Sequence, residues 1–352
     1  MLSLHGNRDK QFIDLSAELF DEIDWKAGTL RTLIHHLDIA AWAYEAVSGL
    51  LAIGTSKGVV DIYGNQSRGV ERRVELSEPL RIRSLHFVSS LFRLAAVDEH
   101  NRLTIWDLNA PGKPKLQSIV SFRYPVNCVA VSASHSHIFV ALSNGEVQTY
   151  DVQCSRLSPY KCPNMWTLYE EKVIASGMPS AAGPGAEFPV QLLIHPRDLN
   201  MLFVAYGGGI ALTDLTQRNT LRAYEYTLPP GAPGGGGFHA QELLKHRRPE
   251  VTAIAVHPAG HVFAAGYADG SIAFWALEDE DKPLFSLTLD GQHDVHIVDA
   301  DKLDRMLAKP KDESDEPREP IFKLAWSGFP NSTDPRGGSR SNNPSLPAIQ
   351  SP

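Results

Sequence analysis

Short runs of alternating apolar and polar residues recur along the chain. The first complete example, "LLAIGTSKGVVDIYG" from Leu50 to Gly64, is typical of a strand, a tight turn and a second strand. The same order recurs in segments that begin at Arg93, Ile138, Leu202 and Val262. Because a hairpin alone is marginally stable in water, the pattern predicts several hairpins that pack against one another.

Two more short runs accompany each hairpin, so the predicted unit has four strands. An alternating run precedes each hairpin, beginning at Ile39, Ile82, Val126, Val190 and Val251. A further short run follows the hairpin, as at Val70 and Leu116. The third strands close on Tyr63, Trp106, Tyr150, Thr213 and Trp275. The first two steps between these positions are 43 and 44 residues, which is the period of a WD-repeat propeller blade.

The sequence therefore predicts an all-β fold, a WD40-type β-propeller of about five complete four-stranded blades. A sixth blade begins in "EPIFKLAWSGFP", where apolar residues alternate from Ile321 to Trp326. The strand pattern stops there, whereas propellers close into rings. We therefore expect a truncated propeller whose fifth blade leaves apolar surface around Phe274 and Trp275 incompletely covered. Such a chain is expected to be marginally soluble, to self-associate or to need a missing C-terminal half.

Composition divides the chain into three parts. Residues 1–36 form an N-terminal extension in which "FIDLSAELFDEIDW" has the spacing of a short amphipathic helix. Residues 37–330 form the incomplete propeller, with insertions near residues 154–189 and 218–250. Residues 331–352 have almost no apolar content and are predicted to be a disordered tail.

Three Gly/Pro-rich segments lack strand periodicity. They are Ser176–Pro189, Pro230–Gly237 and the residues that follow Pro330. Such compositions are typical of loops, and proteolytic nicking concentrates there.

Charge and cysteine content narrow the class of protein. The formal net charge of −8 argues against a general nucleic-acid-binding protein, which carries a basic patch; the one basic candidate, "KHRRP" at Lys245–Pro249, is short. Three cysteines without a CxxC pair predict a reducing environment. No secretory signal and no apolar run near about 18 residues is visible. We expect a cytoplasmic protein whose membrane contact is peripheral.

Two glycine runs raise the question of phosphate binding. Gly234–Gly237 lacks the Lys-Ser/Thr pair of a phosphate loop and no strand leads into it, so a linker is favoured. Gly207, Gly208 and Gly209 fall at the hairpin turn of the fourth blade, where we expect positive φ angles.

Other polar residues give weak signals for chemistry. The densest set of potential metal ligands comprises His293, Asp294, His296, Asp299 and Asp301, but no further His or Cys follows at a zinc-like spacing, and a polar connection between blades is favoured. His195-Pro196 and His257-Pro258 occupy equivalent repeat positions, which indicates a turn role. Cys128 is predicted to be an inert buried thiol. The sequence thus predicts no catalytic, cofactor-binding or metal-binding residues and leaves partner-binding residues open.

One stretch resembles a known family. "LDIAAWAYEAVSGLLAIGTSKGVVDIYG", followed by "VERRVEL", is similar to the first blade of the lethal giant larvae/tomosyn family, and "EPIFKLAWSGFP" with "DPRGG" resembles the sixth-blade entry of its fungal members. The resemblance implies paired seven-bladed propellers that regulate exocytosis and cell polarity. It also implies binding of syntaxin-type and other target-membrane SNAREs, of Rab-type GTPases and, in some members, of myosin II, with peripheral association at the plasma membrane.

Two other functions compete with this one. A generic WD-repeat scaffold for another intracellular complex would show the same blades, and a propeller enzyme would need a converging catalytic set that the sequence does not show.

Overall fold

The computed structural model describes residues 38–45, 48–64, 70–109, 112–131, 136–177, 183, 185–228, 246–288, 291–293, 319–326 and 347–349. The chain divides into two units, one of residues 1–33 and 327–346 and the other of residues 34–326 and 347–352. All described residues belong to the second unit. The predicted N-terminal helix therefore lies outside the described residues.

The strands of the second unit form successive antiparallel sheets in chain order. The first sheet contains β1 (Ala41–Glu45), β2 (Leu50–Gly54), β3 (Val59–Tyr63) and β4 (Arg72–Glu75), and the second contains β5 (Ile82–Val88), β6 (Arg93–Asp98), β7 (Arg102–Asp107) and β8 (Lys115–Ser121). The third contains β9 (Val126–Ala130), β10 (His137–Leu142), β11 (Val147–Asp151) and β12 (Arg156–Cys162). The fourth contains β13 (Pro189–Ile194), β14 (Met201–Tyr206), β15 (Gly209–Asp214) and β16 (Asn219–Tyr224).

The fifth sheet contains β17 (Val251–Val256), β18 (Val262–Tyr267), β19 (Ile272–Ala276) and β20 (Phe285–Thr288), with β21 (Gly291–His293) added at its edge. These five sheets confirm the predicted β-propeller blades. Two short strands, β22 (Leu324–Trp326) and β23 (Pro347–Ile349), pair with each other. Part of the segment that we expected to be disordered therefore forms a strand.

The core lies between neighbouring blades. Each junction holds one cluster of buried side chains, represented in chain order by Val60 with Leu94, Val97 with Ile138, Phe139 with Leu202, Phe203 with Phe263, and Phe274 with Leu324. Since apolar burial is the main favourable term in folding, each blade is stabilised chiefly by the blades beside it.

A recurring hydrogen bond, here termed the carbonyl clip, ties each described blade to the next. In each of these blades, the residue two positions beyond the closing position of the third strand donates its main-chain N–H to the carbonyl of the residue just before the second strand. The donor residues are Leu108, Val152, Leu215 and Leu277. The main-chain carbonyl of the same donor residue accepts a hydrogen bond from a side chain of the preceding blade. The donors are, in the same order, Arg72, Arg93, Tyr160 and Tyr224.

The expectation of an uncovered fifth blade is wrong. Phe274 is 3% exposed and Trp275 is fully buried, because Trp275 faces the fourth blade and Phe274 packs against the strand that follows the fifth. The ring centroids of Phe274 and Trp326 lie 6.1 Å apart. The Trp326 indole N–H donates to the Ala255 carbonyl at 2.9 Å. The segment that ends in β22 therefore covers Phe274 of the fifth blade.

One helix was not predicted. Helix α1 (Met165–Ala175) lies inside the insertion between the third and fourth blades, and Asn164 caps its N-terminus by accepting from the N–H groups of Trp166 and Thr167. The buried Trp166 side chain anchors the helix over the hairpin of the fourth blade. In the described part of the chain, no helix has the length and apolar content needed to cross a membrane.

Candidate functional site

The potential metal ligands do not form a site in the described structure. Asp294, His296, Asp299 and Asp301 lie outside the described residues, and His293 is described only as the last backbone position of β21. Among the described residues, no three His, Cys, Asp or Glu side chains come together in a way that could hold a metal ion.

The two His-Pro pairs have the turn role that the repeat predicted. His195 Nδ1 accepts hydrogen bonds from the N–H groups of Arg197 and Asp198, so its proton resides on Nε2, which lies 3.0 Å from the Gly260 carbonyl oxygen of the next blade. His257 Nδ1 accepts from the Ala259 N–H in the equivalent way. Both imidazoles therefore stabilise the turn between the first two strands of a blade.

The glycine run of the fourth blade is needed for a different reason than we expected. None of Gly207, Gly208 and Gly209 has φ in the left-handed region. A Cβ atom on Gly209 would instead lie 2.3 Å from the Trp166 ring. These residues make room for helix α1. The other run, Gly234–Gly237, lies outside the described residues.

The remaining predicted residues are structural. Cys128 is partly buried, and desolvation raises the pKa of its thiol to about 12, which agrees with the expected unreactive thiol. The basic stretch near residue 247 is not an exposed patch, because Arg247 is 6% exposed and forms an antiparallel bridge with Leu228. Arg248 pairs with Glu225 at 2.9 Å.

The strongest candidate for a binding site is a cavity of about 510 Å³, here termed the inner cavity, where the first strands of four blades meet. Its walls come from β1, β5, β9 and β13. The lining residues are Trp42 to Glu45, Leu85 to Phe87 with Ser89, Val129 to Val131, and Leu192 to Ile194. A site of this kind requires blades that are far apart in the sequence, so the local pattern gave no signal for it.

Two aromatic residues of β1 that belong to this lining have exposed side chains. Alternation along the strand places Ala41 and Ala43 against the second blade, and it turns Trp42 and Tyr44 the other way. Trp42 is 60% and Tyr44 is 58% exposed. The ammonium of Lys323, just before β22, lies 5.5 Å from the centroid of the Trp42 ring, which is within cation–π range.

The inner cavity also has a buried polar group. His86 Nε2 is buried and has no hydrogen-bond partner in the described part of the chain, although the residue as a whole is partly exposed. Burial lowers the pKa of His86 to about 4, so the imidazole is neutral near pH 7. Since buried polar groups are normally paired, this nitrogen is an unsatisfied polar atom within the described part of the chain.

Comparisons with known proteins agree with the fold. The WD domain, G-beta repeat family matches residues 239–276, which contain β17, β18 and β19. An uncharacterized protein of Schizosaccharomyces pombe is 28% identical over 248 residues, which are 69% of this chain and 24% of that protein. The Lethal(2) giant larvae protein of Drosophila pseudoobscura is 24% identical over 257 residues, which are 69% of this chain and 19% of that protein.

A mammalian relative extends the same similarity. LLGL scribble cell polarity complex component 2 of Mus musculus is 27% identical over 182 residues, which are 49% of this chain and 17% of that protein. The chain thus spans about a quarter or less of the length of these relatives. The chain is thus similar over about two-thirds of its length to proteins named Lethal(2) giant larvae, and its blade order fits that family of WD-repeat proteins.

Proposed function

We propose that this chain is part of a non-enzymatic WD-repeat scaffold that regulates cell polarity and vesicle exocytosis. The observation that carries the proposal is the similarity of its blades to lethal giant larvae proteins, one of which is named as a component of a cell polarity complex. The described geometry suits a scaffold, since the polar residues that the sequence singled out serve turns and blade junctions.

The partners proposed from the family resemblance are syntaxin-type SNAREs of the plasma membrane and Rab-type GTPases. Any effect on such a GTPase would come from contact with it. A scaffold of this kind would act at the plasma membrane through its partners and otherwise reside in the cytoplasm. The alternative is a scaffold for a different intracellular complex, which has the same fold and other partners.

A binding experiment with the purified chain separates these functions. The immobilised chain is incubated with the cytosolic part of a syntaxin-type SNARE, and separately with a Rab-type GTPase loaded with a non-hydrolysable GTP analogue. Heat-unfolded chain is the control. Retention of either partner by the folded chain alone supports the proposal, and retention of neither contradicts it in favour of the alternative scaffold.

A further inference from the structure

We propose that the edge of β22 at which β23 pairs is a strand-addition site for an extended segment of a partner protein, and that β23 occupies this edge until the partner displaces it. The segment that fits is free of proline and has apolar residues at every second position. The proposal deepens the scaffold function and rests on it, because the ligand is part of a partner protein.

β22 is docked on the fifth blade in the way that the first strand of a blade is docked on the blade before it. Just before β22, the N–H of Ile321 donates to the Tyr267 carbonyl, at the end of the second strand of the fifth blade, at 3.2 Å. Bonds of the same kind run from the beginning of other first strands to the end of the preceding second strand, from Ile82 to Thr55 and from Val251 to Gly207. β22 therefore lies where every complete blade pairs its first strand with a second strand.

β23 occupies this edge as a short strand. It pairs antiparallel with β22, and Ala348 lies opposite Ala325. It spans three residues, whereas the second strands of the five blades span five or six. One of its residues, Pro347, has no N–H to donate to a neighbouring strand. A longer segment without proline can therefore form more main-chain hydrogen bonds at this edge than β23 does.

The side chains that the partner brings follow from the other four blade junctions. In each of them, the second strand of the later blade contributes buried apolar residues at every second position. These residues are Leu94 and Ala96 of β6, Ile138, Val140 and Leu142 of β10, Leu202, Val204 and Tyr206 of β14, and Phe263, Ala265 and Tyr267 of β18.

The fifth junction has no such contribution among the described side chains. Its buried cluster there consists of residues of the fifth blade and of Leu324. A partner segment with alternating apolar residues would add this layer of buried apolar surface. In strand addition of this type, main-chain hydrogen bonds provide affinity and alternate side chains provide specificity.

The first test uses three peptides built on β14, whose sequence Met201–Tyr206 has this alternation. Each peptide carries the sequence between two pairs of lysines, with a fluorescein label, and its binding to the whole chain is followed by fluorescence anisotropy. The second peptide has Val204→Pro, which removes one N–H, and the third has Leu202→Ser with Val204→Ser, which keeps every N–H but removes apolar surface. We expect both changes to weaken binding at least about tenfold. Absence of binding by the unchanged peptide, or equal binding by either altered peptide, would overturn the proposal.

A disulfide between β22 and β23 tests whether the peptide binds at this edge. Ala325→Cys and Ala348→Cys are combined with Cys154→Ser, because Cys154 is an exposed free cysteine. Residues directly opposite each other on antiparallel strands are close enough for a disulfide. Since the disulfide fixes β23 on β22, oxidation is expected to weaken peptide binding at least about tenfold and reduction to restore it. The control variant, Ala325→Cys with Cys154→Ser, should bind the peptide equally under both conditions.

Three outcomes of the disulfide experiment would contradict the proposal. Equal peptide binding by the oxidised and reduced forms would show that the peptide adds to another strand edge. Disulfide-linked dimers on a non-reducing gel would show that the edge takes a strand from a second copy of the chain. Failure of the disulfide to form would show that β23 does not occupy the edge and would refute the competition.

Failure of this proposal is distinguishable from failure of the scaffold function. If the chain retains a SNARE or GTPase but binds none of the peptides, the strand-addition proposal alone is wrong. If the chain binds the unchanged peptide at this edge but retains neither protein, the proposed SNARE and GTPase partners are wrong and the strand-addition site stands.

Discussion

Replacing Tyr224 with phenylalanine tests whether the carbonyl clips hold the blades together. Tyr224 is 1% exposed, and its hydroxyl donates to the Leu277 carbonyl of the next blade at 2.5 Å. The substitution removes this donor while leaving the ring in place. Edge-on ring contacts with Phe263 at 4.8 Å and with Trp275 at 5.5 Å are therefore retained.

The expected cost follows from the loss of one buried hydrogen bond. Such a bond contributes about 1 kcal/mol, and the carbonyl that stays behind costs about as much again if water cannot reach it. We therefore expect the free energy of unfolding to fall by about 1–2 kcal/mol. With an m-value of about 3 kcal/mol per M urea, the unfolding midpoint falls by about 0.5 M.

Urea denaturation followed by circular dichroism measures this change. Tyr124→Phe is the matched control, because Tyr124 is 37% exposed in the loop between β8 and β9, and substitutions at such positions usually change stability by less than about 0.5 kcal/mol. Tyr160→Phe removes the equivalent donor one blade earlier and is expected to resemble Tyr224→Phe. If Tyr224→Phe unfolds at the same midpoint as Tyr124→Phe, the clips do not stabilise the blades.

Three further predictions concern stability and boundaries. Burial lowers the pKa of His86 from 6.5 to about 4, so the unfolded chain binds a proton at a higher pH than the folded chain does, and the free energy of unfolding falls by at most about 3 kcal/mol as the pH falls from 6.5 to 4. Urea denaturation at several pH values should show a weaker pH dependence of this free energy for His86→Leu than for the unchanged chain. The same pH dependence in both would contradict this. Gly209→Ala should lower the free energy of unfolding by about 1–3 kcal/mol, because the new methyl group collides with Trp166. Gly183→Ala, which has open space around its Cβ position, should leave the melting temperature unchanged in the same thermal melts. Equal melting temperatures for the two variants would show that the helix moves aside without cost. Limited proteolysis with a non-specific protease should cut first within the three Gly/Pro-rich segments, and early cuts inside the blade strands would mean that the blade boundaries are wrong.

The blades were predictable because the signal for each of them is local. Alternation with a period of two and a turn at a fixed distance place a strand pair wherever they occur. The closing positions of the third strands fall inside or at the end of observed strands, from Tyr63 in β3 to Trp275 in β19. Even Thr213, which departs from the aromatic pattern, lies in β15 with its side chain fully buried.

Features that depend on packing between distant residues were not predictable. Helix α1 precedes a Gly/Pro-rich segment within the same insertion. A helix of this size is stabilised by what it packs against, and here the Trp166 side chain lies over Gly209. Arg247 reads as an exposed basic residue, but its backbone pairing with Leu228 draws it inside. The inner cavity depends on four first strands meeting, and each strand alone reveals nothing of it.

The carbonyl clips bear on how such a repeat diverges. The acceptor in every clip is a main-chain oxygen, which any amino acid supplies, and the donor is an arginine in two cases and a tyrosine in two others. A joint of this type survives replacement of the acceptor residue and several replacements of the donor. Selection for the carbonyl clips therefore leaves little trace in the identities of individual residues. A repeat family can lose the Trp-Asp dipeptide after which WD repeats are named while its blades stay hydrogen-bonded at the same positions.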